Sequence, residues 1–233
     1  MSKTHQKRHA MPKNWPVPRK GTTFVVKSNN GNGVPILVAL RDMLKVARNR
    51  KEVKIALNTR TVLINQKEVL NDKNAVCLYD IITITPSKLN YQMGLSDKGK
   101  FKLTEISEKD SQDKVAKVNN KKTLKGKKVQ LNLSDGFNVI SDTKCNVNDS
   151  VVISLKDKKI LSCLELKEKA KALIIAGKHA GVSGVISSID KERKMVEIES
   201  DGSAPGAYPE KSSKKIPTGG KINALIKQIM VTK

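Results

Sequence analysis

The sequence predicts an α+β multidomain fold. It comprises a basic N-terminal extension over 1–34, a module of two helices and short strands over 35–90, a β-rich central domain over 91–168, and a small β-barrel with a C-terminal strand over 169–233. Three observations predict it. The 233 residues suffice for two or three small domains, but with 38% hydrophobic and 3% aromatic residues the cores must be small and built from Val, Ile and Leu. Apolar residues recur at helical spacing only from Pro35 onward to about Asn58. Beyond that point, short runs rich in Val, Ile and Leu alternate with turn signals such as Asp135-Gly136.

The extension holds seven basic residues (Lys3, Lys7, Arg8, Lys13, Arg19, Lys20 and Lys27) and no acid. Across the chain 45 Lys and Arg face 22 Asp and Glu, a net charge of +23. Such an excess repels itself unless an anionic partner neutralises it, with nucleic acid the first candidate and an anionic membrane surface a distant second. A tail of this composition is expected to be disordered alone and ordered by its partner. Within it Pro12, Pro16 and Pro18 surround Trp15, the one Trp of the chain. The indole either stacks on a base or packs on the neighbouring domain, and both readings tie the tail down.

Apolar stretches such as Ala172 to Ala176 are too short to span a bilayer, and the polar N-terminus lacks the apolar core of a signal peptide. Neither a membrane nor secretion is expected. Cys77, Cys145 and Cys163 are odd in number and form no C-x-x-C pair, which reads as buried free thiols in a reducing compartment. His5 and His9 have i,i+4 spacing but lie among Lys3, Lys7 and Arg8 with no carboxylate or thiol near, so no metal or other cofactor is expected.

Pro35 suits a first helical position, and Leu37, Leu40, Leu44 and Ala47 follow at helix spacing, with Arg41, Lys45 and Arg48 on another stripe. Asn49 reads as the N-cap of a second helix, with Glu52 completing a capping box. There Val53, Ala56 and Leu57 face the core, while Arg50, Lys54 and Asn58 line up at i, i+4, i+8 beside Lys51. Six cations thus crowd into fourteen positions with Asp42 and Glu52 the only acids, a pattern that favours phosphate binding over a merely solvated face. Strands follow at Thr61 to Ile64, at Glu68 to Leu70 after a turn over Asn65-Gln66-Lys67, and at Asp80 to Ile84. The stretch Arg48 to Ile84, with its segments NRKEVKIALN, LINQKEV and YDIITI, resembles the αL RNA-binding module of a bacterial small-subunit ribosomal protein, pseudouridine synthases and tyrosyl-tRNA synthetases. Gln66 and Tyr79 stand where that module usually has Gly, which bears on the shapes of the turns.

In the centre, Asp97-Lys98-Gly99 separates Tyr91–Leu95 from Lys100–Thr104, and Asp135-Gly136 separates Val129–Leu133 from Phe137–Ser141 as a two-residue hairpin. Val151–Leu155 and Ile160–Leu164 repeat the theme around a polar turn. Gly94, Gly99 and Lys100 mimic the start of a phosphate-binding loop, but Phe101 stands where Ser or Thr must ligate magnesium, so no nucleotide site is expected. Residues 172–199, ALIIAGKHAGVSGVISSIDKERKMVEIE, resemble a KOW motif and imply an SH3-like barrel. Gly181 and Gly184 match its glycines, and Lys178 and His179 occupy its exposed loop. Such a loop approaches RNA backbone or protein, or its glycines simply make tight turns.

The order of modules is the most specific signal. The tail HQKRHAMPKNWPVPRKG, the αL module, the segments NYQMGLSDKGKFKL, VQLNLSDGFNV and VVISLKDKKIL, and the KOW segment together resemble the archaeal and eukaryotic small-subunit ribosomal protein family numbered four with an e suffix, in its archaeal form. The resemblance covers about residues 3–200 and fades in the Gly/Ser/Pro-rich loop from Asp201 to Gly220 before Ile222–Val231. It implies a non-catalytic cytoplasmic protein of the small ribosomal subunit, with small-subunit rRNA and neighbouring ribosomal proteins as partners and no small-molecule substrate. The expected RNA contacts are Lys3, Lys7, Arg8, Lys13, Trp15, Arg19 and Lys20 in the tail. On the helical module they are Arg41, Lys45, Arg48, Arg50, Lys51, Lys54, Asn58 and Arg60, and on the KOW loop Lys178 and His179. Two rivals come from other classes: an RNA-modifying enzyme with an αL targeting module, and a KOW-bearing factor that visits ribosome or polymerase transiently. Against the enzyme, the sequence shows no G-x-G-x-x-G, no G-x-S-x-G and no triad partners for its three His.

Overall fold

The computed structural model describes residues 5–125, 128–140, 143–200 and 220–232. Lys3 and the segment 201–219 therefore lie outside the described residues. The fold is β-rich, with two short helices, and the chain divides into two compact units: residues 1–94 with 100–111, and 95–99 with 112–233.

In the first unit the tail is folded on its own, contrary to the disorder expected of it. Gln6–Lys7 pairs antiparallel with Phe24–Val25, and the His5 ring meets Phe24 edge-on at 5.2 Å. The loop between these strands is closed by its own arginines. Arg8 donates from Nε to the Thr22 carbonyl, from Nη1 to the Pro18 carbonyl and from Nη2 to Thr22 Oγ1, each at 2.8 Å. Arg19 donates to the His9 and Met11 carbonyls. Met11, Trp15 and Val17 are buried, and the Phe101 N–H donates to the Asn14 carbonyl at 2.9 Å, which docks the tail on the first unit's sheet.

The first helix is shorter than its leucine spacing predicts. Pro35 is extended (ψ 141°) and precedes the helix rather than opening it; one α turn, Ile36–Val38, runs into a π turn, Ala39–Met43. Lys45 then takes φ +57°, which ends the helix. Arg41, Lys45 and Arg48 consequently share no helical stripe. The second helix, Arg50–Asn58, begins where predicted and buries Val53 and Leu57. Its capping box is not closed as expected: Asn49 makes no side-chain cap bond, and Glu52 Oε2 instead accepts from the Arg48 N–H at 2.7 Å.

The sheet of this unit runs in the order Lys67–Glu68, Val62–Ile64, Ile81–Ile84, Leu89–Leu95, Phe101–Ile106. It therefore crosses the boundary expected at residue 90. Ile64 pairs with Lys67, so Asn65 (φ +49°) and Gln66 (φ +61°) form a two-residue turn with both residues left-handed. Tyr79 also has φ +61°, so both positions where the resemblance expects Gly keep a glycine-like backbone. Asn65 locks this turn to the next strand. Its Nδ2 donates to buried Asp80 at 2.7 Å, and its Oδ1 accepts from the Ile81 N–H at 3.0 Å.

The second unit contains two five-stranded antiparallel sheets. The central one runs Asn138–Ile140, Val129–Leu133, Asp113–Thr123, Ser150–Ser154, Ile160–Leu164. Its core is Ala116, Val118, Leu131, Leu133, Val139, Cys145, Val151 and Ile153, aliphatic as the composition requires. The Asp135-Gly136 turn holds three residues, not two: the Leu133 N–H donates to the Phe137 carbonyl, the Gly136 N–H to the Leu133 carbonyl, and Gly136 takes φ +89°. That is a tight turn followed by a glycine bulge, the next most common hairpin solution.

The other sheet runs Lys221–Leu225, Met195–Ser200, Ser183–Asp190, Lys171–Ile174, Ile229–Val231. Its two edge strands are joined by only Ile226–Gln228. Three residues span at most about 14 Å, whereas the edges of five flat strands lie about 19 Å apart, so the sheet curls around its Ile-rich core. The strand Asp113–Thr123 ties the two sheets together. Lys117, 2% exposed, donates from Nζ to the Ile226 and Ile229 carbonyls at 2.6 Å each. Burial lowers its ammonium to about 8. Lys114 is buried against Asp135 in an ion pair, and the Val231 N–H donates to Ser150 Oγ at 3.0 Å.

Candidate nucleic-acid interface

The structure sorts the expected contact residues into those held by the protein and those left exposed. Trp15 is 2% exposed, so its indole is a core residue and not a platform for a base. The proline-rich segment folds it inward, which decides between the two readings open in the sequence. Arg8 and Arg19 spend several N–H groups on the tail's own carbonyls, so both are structural clasps first.

Three of the helical-module arginines are likewise paired with acids. Arg41 makes a two-point contact with Asp42 (3.1 and 2.8 Å), and that hydrogen bond raises its guanidinium pKa further. Arg50 Nε donates to buried Asp72 Oδ2 at 2.6 Å. Arg60, left-handed at φ +55°, lies 3.3 Å from Glu68 in an exposed pair of little energetic weight.

The remaining cations are different. Lys45, Arg48, Lys51 and Lys54 are exposed, and among the described residues none forms an ion pair. Asn58 is exposed at the end of the same helix. The helix Arg50–Asn58 presents Lys51, Lys54 and Asn58 because Val53 and Leu57 turn to the core, while Lys45 and Arg48 lie on the segment before it. Lys7, Lys13 and Lys20 are also exposed on the tail. Such residues can neutralise phosphates without first breaking an internal pair.

On the KOW segment, Lys178 is exposed and His179 half-buried in the loop between Lys171–Ile174 and Ser183–Asp190. Gly181 in the loop and Gly184 in the strand that follows it both approach protein. A Cβ on Gly181 (φ +95°) would lie 2.0 Å from the Ser96 carbonyl oxygen, and one on Gly184 2.1 Å from that of Glu199. Both glycines are required by packing, which leaves Lys178 as the exposed cation of the loop.

One group of cations escaped the sequence reading. Lys121, Lys122, Lys125 and Lys128 cluster where the strand Asp113–Thr123 turns into Val129–Leu133. The signal was present: between Asp113 and Asp135 the sequence has no carboxylate. Among the described residues no group of three or more His, Cys, Asp or Glu is placed to hold a metal, and the three cysteines are free. Among them also, no helix is long and apolar enough to cross a membrane.

Comparison with known proteins now decides the family. The chain is 37% identical over 191 residues to the small ribosomal subunit protein eS4 of Haloarcula marismortui, covering 79% of this chain and 82% of that protein. The chain belongs to the eS4 family. The eS4 protein of Methanospirillum hungatei is 36% identical over 189 residues, 78% of each chain. Family models match in the same order along the sequence: the RS4NT (NUC023) domain over residues 2–32, Ribosomal family S4e over 87–160, and the KOW motif over 168–199. The crystal structure of 30S ribosomal protein S4e from Thermoplasma acidophilum superposes with a TM-score of 0.68 at 25% identity, covering 86% of this chain and 94% of that one. The eS4 proteins are ribosomal proteins, and theirs is not an enzyme family.

Proposed function

We propose that this eS4 protein is a resident, non-catalytic component of the small ribosomal subunit in the cytoplasm that binds rRNA and fixes the placement of several RNA segments against neighbouring ribosomal proteins. The observation that carries the reading is the set of exposed, unpaired cations Lys45, Arg48, Lys51 and Lys54, beside two arginines already held by Asp42 and Asp72. Residues 35–90, with their second helix, left-handed hairpin turn and closing strand, act as an αL RNA-binding module. The curled sheet of 169–233 acts as an SH3-like KOW barrel, with Lys178 and His179 toward RNA. Lys7, Lys13 and Lys20 extend the interface along the tail, Asn58 and Arg60 belong to its margin, and Lys3 is a further proposed RNA contact. Arg8, Arg19, Arg41 and Arg50 use their remaining N–H groups toward RNA while holding the fold.

Phosphate contacts supply affinity and little sequence information, so specificity comes from the folded shape of the RNA. If about six to ten phosphates are met, affinity for small-subunit rRNA falls by about three to five decades between 50 and 200 mM salt. Filter binding across that range tests this, and a flat profile contradicts it. Replacing Lys51 and Lys54 by Ala should lower the salt slope by about two, one for each phosphate no longer neutralised.

A further inference from the structure

The lysine-rich hairpin carries more than charge. Val118 pairs with Leu133, but Asn120 pairs with Asn132, so the strand Asp113–Thr123 contains a one-residue bulge at Asn119. Side chains alternate between the two faces of a strand, so the bulge reverses which residues face the core. Lys121 now shares the inner face with buried Leu131 and Val139, and its Nζ donates to the Cys145 carbonyl at 3.2 Å. Without the bulge, Asn120 and Lys122 would share the face of Val118 and point inward.

The register then lays out the outer face in rows. Asn120, Asn132 and Asn138 form one row across three strands, and Lys122, Gln130 and Ile140 form the next. The Leu124 N–H donates to the Lys128 carbonyl, which places Lys128 on the same face one row further. Asn120, Lys122, Lys128, Asn138 and Ile140 are exposed, and Gln130 and Asn132 are half-buried, linked by an amide hydrogen bond of 2.8 Å. Among the described residues no carboxylate interrupts these rows.

We infer that this face is a second RNA-binding surface, one that lies on the shallow minor groove of an RNA duplex. The inference rests on the proposed function and adds a surface to it. Side-chain amides both donate and accept, which matches the 2′-hydroxyl, itself donor and acceptor, and the base edges beside it. Lys122 and Lys128 stand at the end of the amide rows, where a flanking phosphate backbone passes. A protein partner of the usual charge would call for mixed signs on this face; a polyanion with hydroxyls along its groove calls for amides and lysines, which make up these rows apart from the apolar Leu124 and Ile140.

The test uses the full chain, small-subunit rRNA transcripts and a photoreactive residue in place of Lys122. Asn120→Asp, Asn132→Asp and Asn138→Asp are combined in one near-isosteric variant, with circular dichroism to show that it folds. The expected results are a loss of affinity of about tenfold or more in that variant, and a salt slope lowered by about two in Lys122→Ala/Lys128→Ala. In assembled subunits the crosslink goes to rRNA. A crosslink to a protein, or none, overturns the inference, as does an unchanged affinity in the folded variant while Lys51→Ala/Lys54→Ala still weakens binding. If the wild-type chain itself has no RNA affinity, the broader reading falls and this one with it.

Discussion

At the scale of single residues, charge and conformation are decided by partners far away in the chain. Lys117 shows this for charge. Its ammonium is lowered from the ordinary 10.5 to about 8 by burial. Between those values the native side chain is neutral while the unfolded one still holds its proton, so the unfolded state binds more protons and stability rises with pH. Below pH 8 both states are protonated and the contribution is constant. Denaturant titrations of wild type and Lys117→Met should therefore diverge in favour of wild type from pH 8 to about 10.5. Burial raises the Tyr79 and Cys163 groups to about 12, and these act in the opposite sense at high pH, but they are common to both proteins and cancel in the difference. Parallel curves would show that Lys117 does not titrate in this window. Gly181 shows the same dependence for conformation. With φ +95° and the Ser96 carbonyl against its missing side chain, Gly181→Ala should cost about 2–4 kcal/mol in thermal or chemical denaturation. Gly31→Ala, at a site with nothing within 4 Å, should stay within about 0.5 kcal/mol of wild type.

At the scale of elements, local chemistry marks strands and turns well and helix ends less well. Val129–Leu133 and Ile160–Leu164 fall at their sequence-predicted residues because turn residues bracket each apolar run. The first helix stops early although Leu44 and Ala47 continue its spacing; no Gly or Pro announces the left-handed Lys45. The second helix starts where predicted, but its cap uses a different acceptor. Because Asn49 makes no cap bond, Asn49→Ala should cost no more than about 0.5 kcal/mol. Glu52→Ala, which strips the Arg48 N–H of its acceptor, should cost about 1 kcal/mol. Equal costs, measured by urea titration, would restore the capping box read from sequence. Among the candidate contacts, helical spacing identified Lys51 and Lys54 as outward-facing. That Arg50 is held by Asp72, 22 residues on, lay beyond any local pattern.

At the scale of the whole molecule, the basic excess and the order of modules were legible, and the family followed from them. The pairing of the strands was not. Leu89–Leu95 and Phe101–Ile106 join the sheet of the helical module because hydrogen bonding across strands is specified by the assembled sheet, while a local pattern carries only which residues face in. The order of the tail was hidden for the same reason: Arg8 and Arg19 reach carbonyls eight to fourteen residues away, and composition alone reads them as solvated charge. The amide rows of the central sheet were concealed by the bulge at Asn119, which breaks the alternation that a sequence reading assumes.

The central claim is residence in the small ribosomal subunit through many phosphate contacts. The most direct measurement is gradient sedimentation of cell extract, detecting this chain before and after graded salt washes. Stoichiometric comigration with small subunits that survives a moderate wash is the result expected of a chain held, as proposed, by several RNA segments at once. A chain that stays at the top of the gradient, or leaves at the first wash, would contradict residence and point to a transient factor.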